Sequence, residues 1–199
     1  MILLGGFINF IMFDFLLSGI PELLPHFETA HLTALLFTFI LGFMVIISTK
    51  VKSSNQFTGI VSAVLAIFLI TCYPAKIISR TLDGIPLDKD SMFPLHLCDV
   101  AAVAGFFALV FKNRLCAEIT YFFGLAATLQ ALFTPSTCYN FPSFSFFAFF
   151  QLHSIVVIVA IYLPLVLNWR PRKGAVISCL LYTSPSPRDL STSRKPASA

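Results

Sequence analysis

The sequence predicts an all-α fold, a polytopic transmembrane helix bundle, and three observations carry that prediction. Hydrophobic residues make up 57% of the chain and charged residues only 11%, where a soluble domain is about a quarter charged. The apolar residues gather into long runs free of Lys and Arg, each able to cross a hydrocarbon core about 30 Å thick as a helix of about 20 residues. The period-2 alternation of a membrane barrel is missing, and in lipid the backbone must then satisfy its own polar groups inside helices.

Five clear spans follow in order: His31 to Thr49, Phe57 to Tyr73, Pro94 to Phe111, Leu115 to Phe133 and Phe144 to Leu167. A sixth apolar stretch, Met1 to Ile20, carries Asp14 near its middle, so it either crosses the membrane or lies along the interface. It lacks the basic start and small-residue cleavage site of a signal peptide. The expected organisation is an N-terminal apolar helix over 1–25, a bundle over 26–178 and a foreign tail over 179–199. The tail reading rests on Cys179 to Asp189, which reads as the translation of a transposase sequencing adapter, so that Gly174 to Ser178 would open a further, truncated span.

Orientation follows from the basic loops. Lys50 and Lys52, Lys112 and Arg114, and Arg170, Arg172 and Lys173 fall on one side, predicted cytoplasmic. The opposite side holds Glu22 and Glu28, a mixed loop with Lys76, Arg80, Asp83, Asp88, Lys89 and Asp90, and an uncharged loop from Thr134 to Ser143. Without the tail the net charge falls from +4 to +2; no nucleic-acid partner is implied, and membrane lipids are the expected surroundings. Cys72, Cys98, Cys116 and Cys138 have no metal-type spacing, and no cofactor motif is present.

Function is carried by polar residues inside the spans. His31 starts the first span at its outer end, His96 and Asp99 lie near the outer end of the third, and Gln130 near that of the fourth. His153 lies about 13 Å below Phe144 at 1.5 Å per residue. Intramembrane ionisable groups are costly and usually face one another or a wet cavity, which predicts one outward-facing pocket. Each residue also has a plainer role: His31 as a helix-start residue in the headgroup region, His96 and Asp99 as a structural pair, Cys98 as a packing thiol, Gln130 as an interhelical hydrogen bond. Cys98 points nearly opposite to His96, so a Cys and His pair must draw its histidine from another helix. Glu118 is expected to pair with Arg114 one turn before it, and Gly124 and Thr128 have the spacing of a helix-packing motif.

The segments Leu95-His-Leu-Cys-Asp-Val-Ala101, Tyr121-Phe-Phe-Gly-Leu-Ala-Ala-Thr-Leu-Gln-Ala-Leu-Phe-Thr-Pro135 and Phe149-Phe-Gln-Leu-His153 resemble the YwaF-like family of bacterial integral membrane proteins. Phe123 and Ala127 stand where that family usually has Trp and a second Gly, and its first-span histidine matches His31. The resemblance implies a multi-pass protein of the bacterial plasma membrane. In architecture it is also similar to a eukaryotic transmembrane acyltransferase that remodels ether phospholipids, which implies a lipid acyl group as substrate. In that reading Cys98 or a histidine-activated water attacks an ester, His96 or His153 acts as general base beside Asp99, and Gln130 and His31 bind. The competing expectation is a transporter or proton or solute relay, or a membrane partner that only holds lipid.

Overall fold

The computed structural model describes residues 27–87, 96–135, 139–172 and 174–175. Both the Met1 to Ile20 helix and the 179–199 tail therefore lie outside the described residues. Five helices make up the described chain: α1 (Thr29–Lys52), α2 (Asn55–Leu82), α3 (Leu97–Phe111), α4 (Arg114–Phe133) and α5 (Phe144–Leu165). Four of them are long and apolar enough to cross a membrane, and α3, at 15 residues, is shorter. The third expected span thus starts its helix at Leu97, with His96 as its N-cap.

Helix α5 is the centre of the bundle. It offers no polar stripe to water, and 72% of its apolar window is buried against 22% for α1 and for α2. A helix apolar all round is buried in protein or in lipid, and the buried share puts α5 inside the bundle. The other helices turn narrow faces toward it: on α1 the buried residues His31, Leu35, Thr38, Gly42 and Thr49 follow a three-and-four spacing, and on α2 Leu65, Leu69, Cys72 and Ser79 do the same. Their opposite faces leave Phe43, Met44 and Ile67 more than 45% exposed. An apolar surface of that extent belongs in lipid.

Close approach is bought by small residues, as is common where lipid tails remove the usual hydrophobic drive. The bundle face of α3 is Ala101, Ala102, Ala104, Gly105 and Ala108. On α4, a Cβ added to Gly124 would lie 2.8 Å from Cβ of Ala160 and 3.4 Å from the Val156 carbonyl on α5. Helix α4 also widens into a π-helical segment over Gly124–Thr128. A short turn at Lys112, in the left-handed region, returns the chain from α3 to α4, where Asn113 Oδ1 accepts from the Cys116 amide.

Two departures from the expected elements matter for the site. Helix α2 does not stop at Tyr73 but passes through Pro74 to Leu82, which lifts Lys76 and Arg80 out of the expected loop and onto a helix. Asp83, just past its end, reaches α5: its carboxylate accepts from the amides of Phe144 at 2.9 Å and Ser145 at 2.6 Å, satisfying donors that a helix N-terminus leaves free.

Gly124→Ala is expected to lower stability by about 1–3 kcal/mol through overpacking. Gly59→Ala, with nothing within 4 Å of the new methyl, should be neutral or gain up to about 1 kcal/mol. Thermal unfolding of both variants in detergent checks the pair; equal melting temperatures would show that α4 and α5 are not held at glycine distance.

Candidate functional site

The polar groups of the bundle interior do not form one pocket. They divide into a hinge of His31, a cluster around Asp99, and a clamp at the opposite end around Glu118.

His31 is fully buried, and both ring nitrogens are occupied. Nδ1 accepts from the Phe27 amide at 3.0 Å, which leaves the proton on Nε2, and Nε2 donates to the Leu132 carbonyl at 2.7 Å. The imidazole therefore fastens the start of α1 to the end of α4 and has no lone pair left for a ligand. Gln130 also stands apart. It is exposed, and its Nε2 donates to the Thr134 hydroxyl at 2.9 Å on its own helix.

Toward the upper end, the one where α2 ends and α5 begins, Asp99 lies within electrostatic reach of both Cys98 on its own helix and His153 on α5, with His96 acting on His153 as well. Asp99 is 3% exposed and accepts from Lys76 Nζ at 2.7 Å. Its partner is thus an ammonium from α2 instead of the His96 imidazole three residues before it. Lys76 was hidden in the sequence by Pro74, which reads as a helix end; only the continuation of α2 places the ammonium beside α3. His153 is buried on α5, its Nδ1 2.7 Å from the Phe149 carbonyl and its ring stacked on Phe149. A carbonyl only accepts, so Nδ1 carries the proton and Nε2 keeps its lone pair. Asp99, Lys76 and His96 are the ionisable groups that act electrostatically on this ring. His96 itself is exposed at the helix start.

Cys98 is half-buried and has two kinds of neighbour. It packs against the apolar core that holds Leu69, Ala102 and Ile155, it bonds to the Thr128 hydroxyl, and Asp99 and Lys76 act on it electrostatically. Thr128 closes the π-helical segment and donates to the Phe123 carbonyl five residues back at 3.2 Å. The widened turn thereby brings a hydroxyl to the thiol; such π-segments recur at functional sites. Among the described residues no three His, Cys, Asp or Glu side chains group as a metal site.

At the opposite end Glu118 is fully buried and pairs with Arg172, not with Arg114. Arg172 donates through Nε at 2.8 Å, Nη2 at 2.7 Å and its backbone amide at 3.1 Å. The residue one turn away lost to one 54 positions distant because Arg172 offers a bidentate fork plus an amide. Arg114 instead reaches the Arg170 carbonyl at 3.4 Å.

A separate cavity of about 920 Å³ opens between α1, α2 and α5. Phe37, Leu41, Phe68 and Phe147 line it, with Thr38 and Ser154 joined across it at 2.6 Å; none of the site residues named above borders it.

A sequence model of the TMEM164 family matches residues 26–184. This overturns the YwaF-like assignment, and with it goes the ground for a bacterial plasma membrane. No curated protein and no solved structure matches the chain. The family and the four long apolar helices make the chain a multi-pass integral membrane protein.

Removing one partner of the Lys76 and Asp99 pair should cost more than removing both. Asp99→Ala is expected to destabilise by about 3 kcal/mol because it strands an ammonium in the bundle, and Lys76→Met with Asp99→Leu to recover most of that. A double-mutant cycle by detergent unfolding measures it, and additive losses would show that the two charges are not coupled.

Proposed function

The chain belongs to the TMEM164 family, and for this member of a transmembrane family we propose acyl transfer between membrane lipids at the Cys98, His153 and Lys76 cluster. The observation that carries the reading is the protonation state imposed on His153. With Nδ1–H held by the Phe149 carbonyl, Nε2 is a base whose ring orientation is fixed. Such a group, in a bundle interior beside a thiol-bearing helix, suits nucleophilic catalysis better than packing.

In the proposed reaction the Cys98 proton passes to His153 Nε2 as the sulfur attacks the ester carbonyl of a donor lipid. The C–S bond forms, the ester C–O bond breaks, and the departing alkoxide takes the proton from His153. An acyl thioester and a lysolipid result. The hydroxyl of a second lipid then gives its proton to His153 and attacks the thioester; the new C–O bond forms and the thiolate leaves and is reprotonated. Water in place of the second lipid makes the outcome hydrolysis.

Lys76 takes the part that Gln130 was expected to play. One of its three N–H groups is engaged by Asp99, and the others are available to an oxyanion developing next to Cys98. Asp99 holds the ammonium in position and leaves it charged. Transport across the bilayer fits less well, because below His153 the buried face of α5 continues as Val156, Val159, Ala160 and Leu163, and its one hydroxyl there, Tyr162, is bonded to Ser62 and the Thr58 carbonyl on α2.

In nanodiscs holding a donor phospholipid and a lysolipid acceptor, Cys98→Ala should abolish transfer and remove a thioester that hydroxylamine releases from the wild type. His153→Ala should slow turnover by about 10²–10⁴-fold, and Gln130→Ala should leave it within about twofold, as for an exposed side chain away from the chemistry. Wild-type turnover in Cys98→Ala would end the proposal.

A further inference from the structure

The gap between α1, α2 and α5 runs along α1 from Thr29 to Val45, about 24 Å of helix at 1.5 Å per residue. Phe37 on α1 and Phe68 on α2 line it and are still 66% and 50% exposed, so it stands open on one side.

Below the rim threonines Thr29 and Thr33, its walls are apolar except for one band. Thr38, Gln151 and Ser154 line the gap about 10–15 Å below the helix starts at Thr29 and Phe144. The Thr38 hydroxyl donates to the Ala34 carbonyl at 2.8 Å, so its 2.6 Å contact with Ser154 is donated by Ser154, whose oxygen remains an acceptor. Gln151 gives one amide N–H to the Thr71 hydroxyl at 3.1 Å, and its second N–H has no partner among the described residues. A polar band in an otherwise apolar gap is costly against lipid unless something polar meets it.

The chain carries a segment of matching length and chemistry. Met1 to Ile20, outside the described residues, has Asp14 as its one charged residue, and residues 21–28 tie it to Thr29 at the upper mouth of the gap. As a helix it would be about 30 Å long, enough to run the length of the gap. Asp14 would then lie about 9 Å below Ile20, within one helical turn of the level of Gln151 and Thr38. An ionisable group inside an apolar segment faces protein or water instead of lipid, and the band offers it an amide N–H and two hydroxyls. The chain beyond α5 is a poorer fit, because Arg172 ties it to Glu118 on α4, which lines no part of the gap.

We propose that Met1 to Ile20 crosses the membrane as a helix seated in this gap, antiparallel to α1, with the Asp14 carboxyl bonded to Gln151 and to the Thr38 and Ser154 hydroxyls. The segment is then an internal partner of the bundle and not an interfacial anchor. It covers α5 at Phe150, whose ring lies 6.1 Å from that of His31. The proposal is independent of the acyl-transfer reading.

Cysteine cross-linking of the full chain in membranes tests it, with single-cysteine variants as controls. Phe10 and Leu17 share the helix face of Asp14, and their depths match those of Leu41 and Thr33, which line the gap. Phe10→Cys with Leu41→Cys, and Leu17→Cys with Thr33→Cys, should each cross-link within one chain under a short bismaleimide. Phe10→Cys with Phe39→Cys should not, since Phe39 is level with Phe10 but turned toward Phe133 on α4. Asp14→Leu should lower both yields severalfold, and Asp14→Asn should keep most of them, because an amide still bonds to the band. Cross-links between chains would give the gap to a second copy, none at either gap pair would give it to lipid, and equal yields at Leu41 and Phe39 would mean no fixed seat; each overturns the proposal. Yields unmoved by Asp14→Leu overturn the pairing with the polar band.

Discussion

A carboxylate inside an apolar bundle requires a partner, and the Lys76 and Asp99 contact at 2.7 Å determines much of the surrounding arrangement. To deliver the ammonium, α2 has to continue as a helix past Pro74. To receive it, α3 has to begin with Asp99 in its first turn, which sets Cys98 one position earlier against Thr128 on α4. The pair thus couples α2 and α3 by charge where the lipid supplies no hydrophobic force to hold them. What it contributes is positional. Two charges taken from water regain little net energy from each other, but they admit few alternative registers.

The same logic operates at both ends of α5. Asp83, from the end of α2, accepts the first amides of that helix, and Glu118, from α4, grips the chain after its last turn through Arg172. The apolar surface of a central helix does little to fix its height or rotation, since sliding exchanges one apolar contact for another, and on α5 the lateral polar contacts of Ser154 with Thr38 and Tyr162 with Ser62 are few. Carboxylates at its two ends remove that freedom. His153 depends on this, because a slip along α5 would carry its Nε2 away from the cluster.

The helical class and the rough spans were legible in the residues, because runs such as Phe144 to Leu165 have one stable solution in lipid. The start of α5 at Phe144 and the position of His31 at the head of α1 followed from the same pattern. What could not be read were partners set by the tertiary fold. Glu118 was matched with the nearest cation along the helix, and the winner came from the far side of the chain. Lys76 and Arg80 were assigned to a loop because proline marks helix ends in water, whereas within a membrane bundle neighbouring helices tolerate it. His31, His96, Asp99, Gln130 and His153 share a depth, and depth was read as proximity; the imidazole of His31 and the amide of Gln130 turn out to be spoken for elsewhere.

The widened turn over Gly124–Thr128 acts on α4 as a phase shift. A regular helix repeats one angular sequence from end to end, so a residue chosen to meet α5 would dictate the bearing of everything above it. One extra residue in the turn resets that bearing midway. At its first residue α4 is aligned by Gly124 against Ala160; above it, the helix is free to aim the Leu132 carbonyl at His31. Thr128, at the seam, answers to neither alignment, and the hydroxyl beside Cys98 is therefore addressed independently of the packing on either side.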